Sequence, residues 1–257
     1  MTSTNKIVVI ILAAGKGKRM NSELPKVLHE IAGKPIIRHV TDTLDTIELA
    51  RKVLVVGVGK EMVIQEFAGS DWEFAVQERQ LGTGHAVKVA WDYYADLDGD
   101  VLVMLGDVPL LRRESLVKLI EQHHTSGAAV TVLSCKPDDP AGYGRIIRDR
   151  DGWVKRIVEH ADASDEERRI DEINTGIMIF KAAALRDTLG RIGCDNTQGE
   201  YYLTDAFKLL LEEGRRSGAV VLDDYREGLG INSLIQLEAL RELFAEVKNV
   251  DNQLGDS

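Results

Sequence analysis

The chain's 257 residues carry 32 Lys and Arg against 42 Asp and Glu, a formal net charge of −10. That balance excludes a sequence-independent grip on nucleic acid, which needs a basic surface, and means that an anionic ligand must be met by a local basic cluster and a divalent cation. No run approaches the ~20 apolar residues of a membrane span, the start lacks a secretory pattern, and two cysteines, Cys135 and Cys194, give neither a disulfide framework nor a metal spacing; they read as reduced core thiols of a cytoplasmic protein.

The first predicted element is a buried strand, the β-branched apolar run Ile7-Val8-Val9-Ile10-Ile11-Leu12. It opens into Ala13-Ala14-Gly15-Lys16-Gly17-Lys18-Arg19-Met20 and then Leu24-Pro25-Lys26. Small residues let a backbone approach a ligand, and glycines permit the dihedrals that turn N–H groups toward it. Arg19 offers a planar fork to phosphate oxygens and Lys26 a point charge; Pro25 restricts the backbone beside Lys26. Together these features suit a nucleoside triphosphate. The spacing is neither a P-loop nor Gly-x-Gly-x-x-Gly, because Met20 stands in the third glycine position. Taken alone, the turn fits a tight strand-to-helix connection with solvated lysines equally well.

Residues 35–44 read as a helix, 53–56 as a second buried strand, 60–67 as a helix, 74–76 as a short strand, 83–94 as a helix, 101–105 as a fourth strand and 114–124 as a helix. This alternation predicts a parallel, doubly wound sheet. Ligands bind such sheets outside the carboxyl ends of the strands, where the strand order reverses. The glycine turn after Leu12 and the Gly106-Asp107 turn after Leu105 both lie at such ends. Asp107 is placed to hold a hard cation such as Mg2+, with Gly106 allowing close approach; in isolation a turn hydrogen bond is the better reading. In Gln77-Glu78-Arg79-Gln80-Leu81-Gly82-Thr83-Gly84-His85, Thr83 is a candidate helix N-cap. The Gln77 amide suits a nucleobase edge. His85 packs or caps, with no visible partner that would make it a base.

The second half changes character. Residues 128–134, 144–148, 154–158 and 176–180 read as strands joined by polar turns, antiparallel additions able to wall a second ligand. Residues 162–171 are densely charged and read as an exposed loop or short helix. A helix over 203–217, a strand over 220–222 and an amphipathic helix over 233–247 follow, with a frayed tail after Val250. Gly144, Glu159 and Asn174 fit a hairpin turn, a strand-end charge and an Asn-Gly type turn, or contacts to hydroxyl and amide groups of a sugar. Asn232, in Gly230-Ile231-Asn232, fits a helix start or a second, neutral metal ligand through its amide oxygen.

Each motif is ambiguous alone; their order is not. Leu12-Ala13-Ala14-Gly15 through Met20, Leu24-Pro25-Lys26, Gln80-Leu81-Gly82-Thr83-Gly84-His85, Gly106-Asp107-Val108-Pro109, Gly142-Tyr143-Gly144-Arg145, Val158-Glu159-His160, Asn174-Thr175-Gly176 and Glu200-Tyr201-Tyr202-Leu203-Thr204-Asp205 closely resemble the sugar-phosphate nucleotidyltransferases. Within them the sequence is most similar to the uridyltransferase domains of the bifunctional N-acetylglucosamine-1-phosphate uridyltransferases. The resemblance implies an α/β fold, a Rossmann-like doubly wound mixed sheet with antiparallel additions around the sugar site. A nucleotidyltransferase domain would span residues 1–232, its nucleotide half about 1–125 and its sugar half about 126–232, before a closing helix and tail over 233–257. It implies transfer of a uridylyl group from UTP to N-acetylglucosamine 1-phosphate. Leu12, Ala13, Ala14, Gly15, Gln77, Gly82, Thr83 and Gly106 would hold the nucleotide. Arg19, Lys26 and Asp107 would act on the phosphates, Asp107 and Asn232 would hold Mg2+, and Gly144, Glu159 and Asn174 would read the sugar.

Two positions depart from the family pattern: Lys18 replaces the usual Thr and Leu105 the usual Tyr. The hexapeptide repeats that carry acetyltransfer in the bifunctional relatives are absent from the sequence, so acetyltransfer is not implied, and nothing fixes an oligomeric state. Another hexose 1-phosphate, another nucleotide, or a sugar-nucleotide-binding regulatory role stand as the alternatives.

Overall fold

Alternate residues of the opening apolar run face opposite layers of the molecule, and Val8, Val9, Ile10 and Ile11 are each at most 1% exposed. A strand apolar on both faces belongs in the middle of a sheet covered on both sides. The computed structural model describes residues 6–15, 17–231 and 233–255, with their side chains except those of Lys18 and residues 245–255. The run forms β1 (Lys6–Ala13); a small hairpin, β2 (Glu30–Ile31) and β3 (Lys34–Pro35), leads into α1 (Ile36–Asp42). Alternating units follow: β4 (Arg51–Val56), α2 (Lys60–Glu66), β5 (Glu73–Val76), α3 (Thr83–Val89), β6 (Gly99–Leu105) and α4 (Arg113–Ser126). The second half adds β7 (Val130–Cys135), β8 (Arg145–Arg148), β9 (Val154–Val158), β10 (Ile173–Lys181), α5 (Ala182–Leu189), α6 (Asp205–Glu212), β11 (Ser217–Val221) and α7 (Leu234–Gly255).

The main sheet runs β11-β7-β10-β6-β1-β4-β5, and β8 extends it from β10 with β9 as its partner. β1 pairs in parallel with β4 and β6, and β4 with β5. β10 is antiparallel to both β6 and β7. The chain winds outward from β1 through β4 to β5, then returns to β6 on the other side of β1. The order therefore reverses between β1 and β6, which opens a crevice at their carboxyl ends.

One layer of the core joins Val8, Ile10 and Val101 to Ala86 and Val87 of α3, Leu185 of α5 and Phe207 of α6. The opposite layer joins Val9, Ile11 and Leu54 to Ile37 of α1, Val63 of α2 and Leu116 of α4. A third cluster bears directly on the crevice. Met20, Ile31, Ile36, Leu110 and Ile231 pack with Leu237 and Leu240 of α7. Met20, at the position that broke the glycine pattern, is 1% exposed and anchors the glycine turn to α7.

Several boundaries differ from the sequence reading. α5 was not anticipated. The 203–217 helix is confined to α6, because Gly214 at φ 69° turns the chain into β11. α3 ends at Val89 and a 3₁₀ turn, Trp91–Tyr93, replaces its predicted last turn. α7 continues to Gly255 rather than fraying after Val250; the intervening residues include no helix breaker. The charged 162–171 segment holds a single 3₁₀ turn, Glu167–Arg169. Cys135 is buried as expected, whereas Cys194 is exposed on the loop after α5.

Candidate active site

The crevice is built where the backbones after β1 and β6 touch. The Gly106 N–H donates to Leu12 O at 3.0 Å. A Cβ on Gly106 would lie 3.3 Å from that oxygen and 3.4 Å from Ala13 Cβ, so any larger residue would press the strand end by a few tenths of an ångström. Leu12 is half-buried, Ala13 and Ala14 are buried, and Gly15 stands open at the rim. Sequence reasoning missed Gly57, at the end of β4: a Cβ there would sit 2.7 Å from Ala14 O and 2.9 Å from Gln80 Nε2. Its signal was a glycine directly following an apolar strand.

Gly17 adopts φ 55°, and a Cβ on it would press on Lys26 Cβ at 3.0 Å. The 3₁₀ turn Lys18–Met20 that follows leaves Arg19 exposed, with no ion pair among the described residues. Pro25 precedes a second 3₁₀ turn, Lys26–Leu28, whose Val27 and Leu28 are buried. That anchoring turns Lys26 inward, where its Nζ pairs with Asp107 Oδ2; the two side chains are 15% and 12% exposed. The other carboxylate oxygen, Asp107 Oδ1, is buried without a hydrogen-bond partner among the described residues.

A buried carboxylate oxygen left unpaired is costly. The expense makes sense where a cation or a ligand completes the oxygen's surroundings. A single hard carboxylate oxygen fits Mg2+, which keeps several waters and draws its other ligands from substrate phosphates. Among the described residues no group of three His, Cys, Asp or Glu is placed to hold a metal, so the protein supplies no closed cage. Asn232 lies outside the described residues. Its neighbour Ile231 donates its N–H to Asp107 O at 3.0 Å, which ties residues 230–231 to the Asp107 turn.

Gln77 follows β5 and is 3% exposed. Its Nε2 lies 3.2 Å from Gly82 O and 2.9 Å from His85 Nδ1. Gly82 has φ 105°, and its backbone neighbours are laced to the loop before α6: Tyr201 N–H donates to Leu81 O at 2.8 Å and Gly84 N–H to Tyr201 O at 2.7 Å. Thr83 is not the N-cap that its position suggested. Gly82 occupies the cap, Thr83 is the first helical residue, and its hydroxyl accepts from Leu203 N–H at 3.0 Å.

The three residues assigned to a sugar also meet. Asn174 lies at the irregular start of β10, and its N–H donates to Gly144 O at 2.9 Å. Its Oδ1 accepts from Gly176 N–H at 2.8 Å, which leaves the amide N–H groups for other partners. A Cβ on Gly144 would crowd Glu159 Oε2 at 3.2 Å. Glu159 Oε1 accepts from the Thr204 hydroxyl at 3.0 Å. Gly176, at φ 80° in the irregular stretch of β10, makes room for Leu105: a Cβ there would be 2.5 Å from Leu105 Cδ1. Leu105 thereby joins the sugar half to the Gly106-Asp107 turn.

Burial pushes the Glu159 carboxyl up, the Thr204 hydroxyl opposes the shift, and nearby Asp205, Asp162 and Glu200 reinforce it. A carboxyl raised in the folded state favours folding while protonated and loses that stabilisation as pH rises through its folded pKa. Glu159→Gln therefore raises the thermal midpoint by about 2 °C at pH 8. The gain disappears below about pH 4, where the unfolded carboxyl is protonated too. Scanning calorimetry of both proteins across pH checks this; a gain that persists at pH 3 contradicts it.

A reversal-point crevice, a glycine turn with inward and outward basic groups, and a half-satisfied buried aspartate define an α/β protein of the nucleotidyltransferase class. The chain belongs to the MobA-like NTP transferase domain family, whose model matches residues 9–174. It is 45% identical over 234 residues to the bifunctional protein GlmU of Enterococcus faecalis, covering 91% of this chain and 51% of that protein. It is 49% identical over 235 residues to the GlmU of Burkholderia mallei, covering 91% and 51%. With the Streptococcus suis GlmU it shares 48% over 228 residues, covering 89% and 49%. The chain thus spans about half the length of each of these relatives. Among solved structures, CMP:2-keto-3-deoxy-manno-octonic acid synthetase complexed with CTP has the same fold, with a TM-score of 0.67 and 17% identity over 94% of this chain and 99% of that one.

Proposed function

We propose that this nucleotidyltransferase moves a uridylyl group from UTP to N-acetylglucosamine 1-phosphate, giving UDP-N-acetylglucosamine and pyrophosphate. The observation that carries the reading is the Lys26–Asp107 pair, whose Oδ1 has no partner among the described residues, set where the strand order reverses. Similarity at 45% to 49% identity to GlmU proteins supports the uridyl branch. Residues 1–232 act as one transferase unit, nucleotide half about 1–125 and sugar half about 126–232, closed by 233–257.

In this reading Leu12, Ala13, Ala14, Gly15 and Gly106 present backbone to the nucleotide. Gln77, Gly82 and Thr83 meet its base side. Arg19 and Lys26 engage phosphate oxygens, and Gly144, Glu159 and Asn174 read the sugar's hydroxyl and amide groups. Asp107, with Asn232, holds Mg2+, which supplies charge neutralisation at the phosphate oxygens when bound. An oxygen of the sugar phosphate forms a bond to the α-phosphorus of UTP while the bond to pyrophosphate breaks. The attacking phosphate is already ionised, so no side chain need take a proton. The protein's work is alignment and countercharge. No helix among the described residues is long and apolar enough to cross a membrane, and the acidic balance of the chain gives nucleic acid no partner surface. Both accord with small-molecule partners in the cytoplasm.

Pyrophosphate release across a panel of nucleotides and sugar 1-phosphates, with and without Mg2+, tests the reading. UTP with N-acetylglucosamine 1-phosphate should give the highest kcat/KM, and only with a divalent cation. Faster release with another pair changes the substrate. Binding of UDP-N-acetylglucosamine without turnover makes the protein a sugar-nucleotide sensor. In the same assay Lys26→Ala should lower kcat about 100-fold, as expected for one lost preorganised charge at the phosphates; unchanged kinetics would remove Lys26 from the reaction.

A further inference from the structure

The Gln77 side chain is held in a way that decides which of its two ends faces outward. Gly82 O carries only lone pairs, so the Gln77 atom 3.2 Å from it must be the NH2 group. The same nitrogen lies 2.9 Å from His85 Nδ1. Its second N–H therefore donates to Nδ1, and the imidazole carries its proton on Nε2. With both N–H groups committed, the amide presents an acceptor, Oε1, which has no partner among the described residues.

We infer that His85 is a positioning residue that locks the Gln77 amide with its carbonyl outward, and so selects a pyrimidine base bearing an N3–H donor over one whose N3 is a bare acceptor. The inference rests on the uridylyl-transfer reading and deepens it. Uracil and thymine carry that N3–H; cytosine does not, and its N3 lone pair would face the Gln77 carbonyl. Gly82 alone is a weaker lock, since its bond to Nε2 is the longer of the two.

The surroundings keep His85 in the required neutral form. Burial lowers its pKa, and the positive charges of Lys88 on its own helix and Arg79 on the loop before it add to the shift. The Tyr201 ring lies 6.5 Å away on the loop before α6. His85 also lines a cavity of ≈ 490 Å³ with Leu81, Lys88, Val89, Leu189 and Tyr201, which gives the ring room to exchange its proton. Protonation would set an Nδ1–H against the Gln77 N–H and break the lock.

The test measures kcat and KM for UTP and CTP, with saturating N-acetylglucosamine 1-phosphate and Mg2+, in the wild type, His85→Leu and His85→Asn. His85→Leu should raise KM for UTP about tenfold and lower the UTP/CTP ratio of kcat/KM about tenfold, while KM for the sugar phosphate stays within about twofold. His85→Asn keeps an acceptor near the Nδ1 position and should retain the ratio. The wild-type KM for UTP should rise below about pH 6 relative to that of His85→Asn, as the imidazole takes its proton. If His85→Leu does not fold, that pH comparison decides alone. An unchanged UTP/CTP ratio in folded His85→Leu, or coincident pH profiles for wild type and His85→Asn, overturns this inference and leaves uridylyl transfer standing. A wild type that turns over no uridine nucleotide overturns both.

Discussion

Asp107→Asn should lower kcat/KM for pyrophosphate release by about 10³-fold or more, roughly 4 kcal/mol of transition-state stabilisation, and lower the thermal midpoint by several degrees while the protein still folds, because Lys26 loses its countercharge. The substitution keeps the shape of the side chain and leaves the backbone bond from Ile231 N–H to Asp107 O in place. What it removes is charge. An amide cannot balance the largely buried Lys26 ammonium, and it offers a cation a neutral oxygen in place of an anionic one. The loss should fall mainly on kcat, because the developing charge on the phosphates is greatest in the transition state. Added Mg2+ should recover little of it. Steady-state kinetics with calorimetry separates the cases: full activity in the folded variant removes Asp107 from the proposed metal site, and loss of activity with loss of folding makes the residue structural.

The second large effect is expected at Gly82, which joins folding to nucleotide selection. A Cβ there would lie 2.6 Å from Tyr201 O and 2.8 Å from Tyr201 N, at a φ of 105° that an L side chain rarely adopts. Neither Tyr201 atom can yield, because the nitrogen donates to Leu81 O and the oxygen accepts from Gly84 N–H. Gly82→Ala should therefore cost about 3 kcal/mol of stability, a fall of roughly 6–12 °C in thermal midpoint for a chain of this size. It should also raise KM for the nucleotide more than about tenfold, since the Gly82 carbonyl holds Gln77 Nε2. Gly190→Ala is the control. Gly190 closes α5 at φ −71° with nothing within 4 Å of an added Cβ, so the change should be neutral within about 0.5 kcal/mol. Equal midpoints for the two variants would mean that the Tyr201 loop moves freely and does not brace the site.

The parts of this fold that periodicity could reveal are those with a strong apolar signal. β1, β4 and β6 are runs of buried residues bounded by turn residues, and the Asp107 turn follows one of them directly. The elements that escaped lack such a signal. α5 reads Ala-Ala-Ala-Leu-Arg-Asp-Thr-Leu, too short and too alanine-rich to show an apolar stripe. The β2–β3 hairpin has two-residue strands around Ala32-Gly33, whose φ values of 51° and 75° suit a tight hairpin turn without the usual Asn or Asp before the glycine. At the site, residue types suggested roles but not neighbours. Asn174 and Gly176 do make the local side-chain-to-backbone contact of an Asn turn, but inside β10, where Gly176 also makes room for Leu105 and Asn174 pairs with Gly144. His85 had no visible partner, because the pairing that matters reaches back across a turn to Gln77. Such contacts are set by how loops lace together after the sheet forms, which a linear pattern does not encode.

The most direct measurement is a crystal structure with UDP-N-acetylglucosamine and Mg2+. The base should lie against Gln77 and the Leu12–Gly15 backbone, the diphosphate near Lys26, the cation on Asp107, and the sugar among Gly144, Glu159 and Asn174. A ligand seated away from the crevice between β1 and β6, or a cation bound without Asp107, would contradict this arrangement.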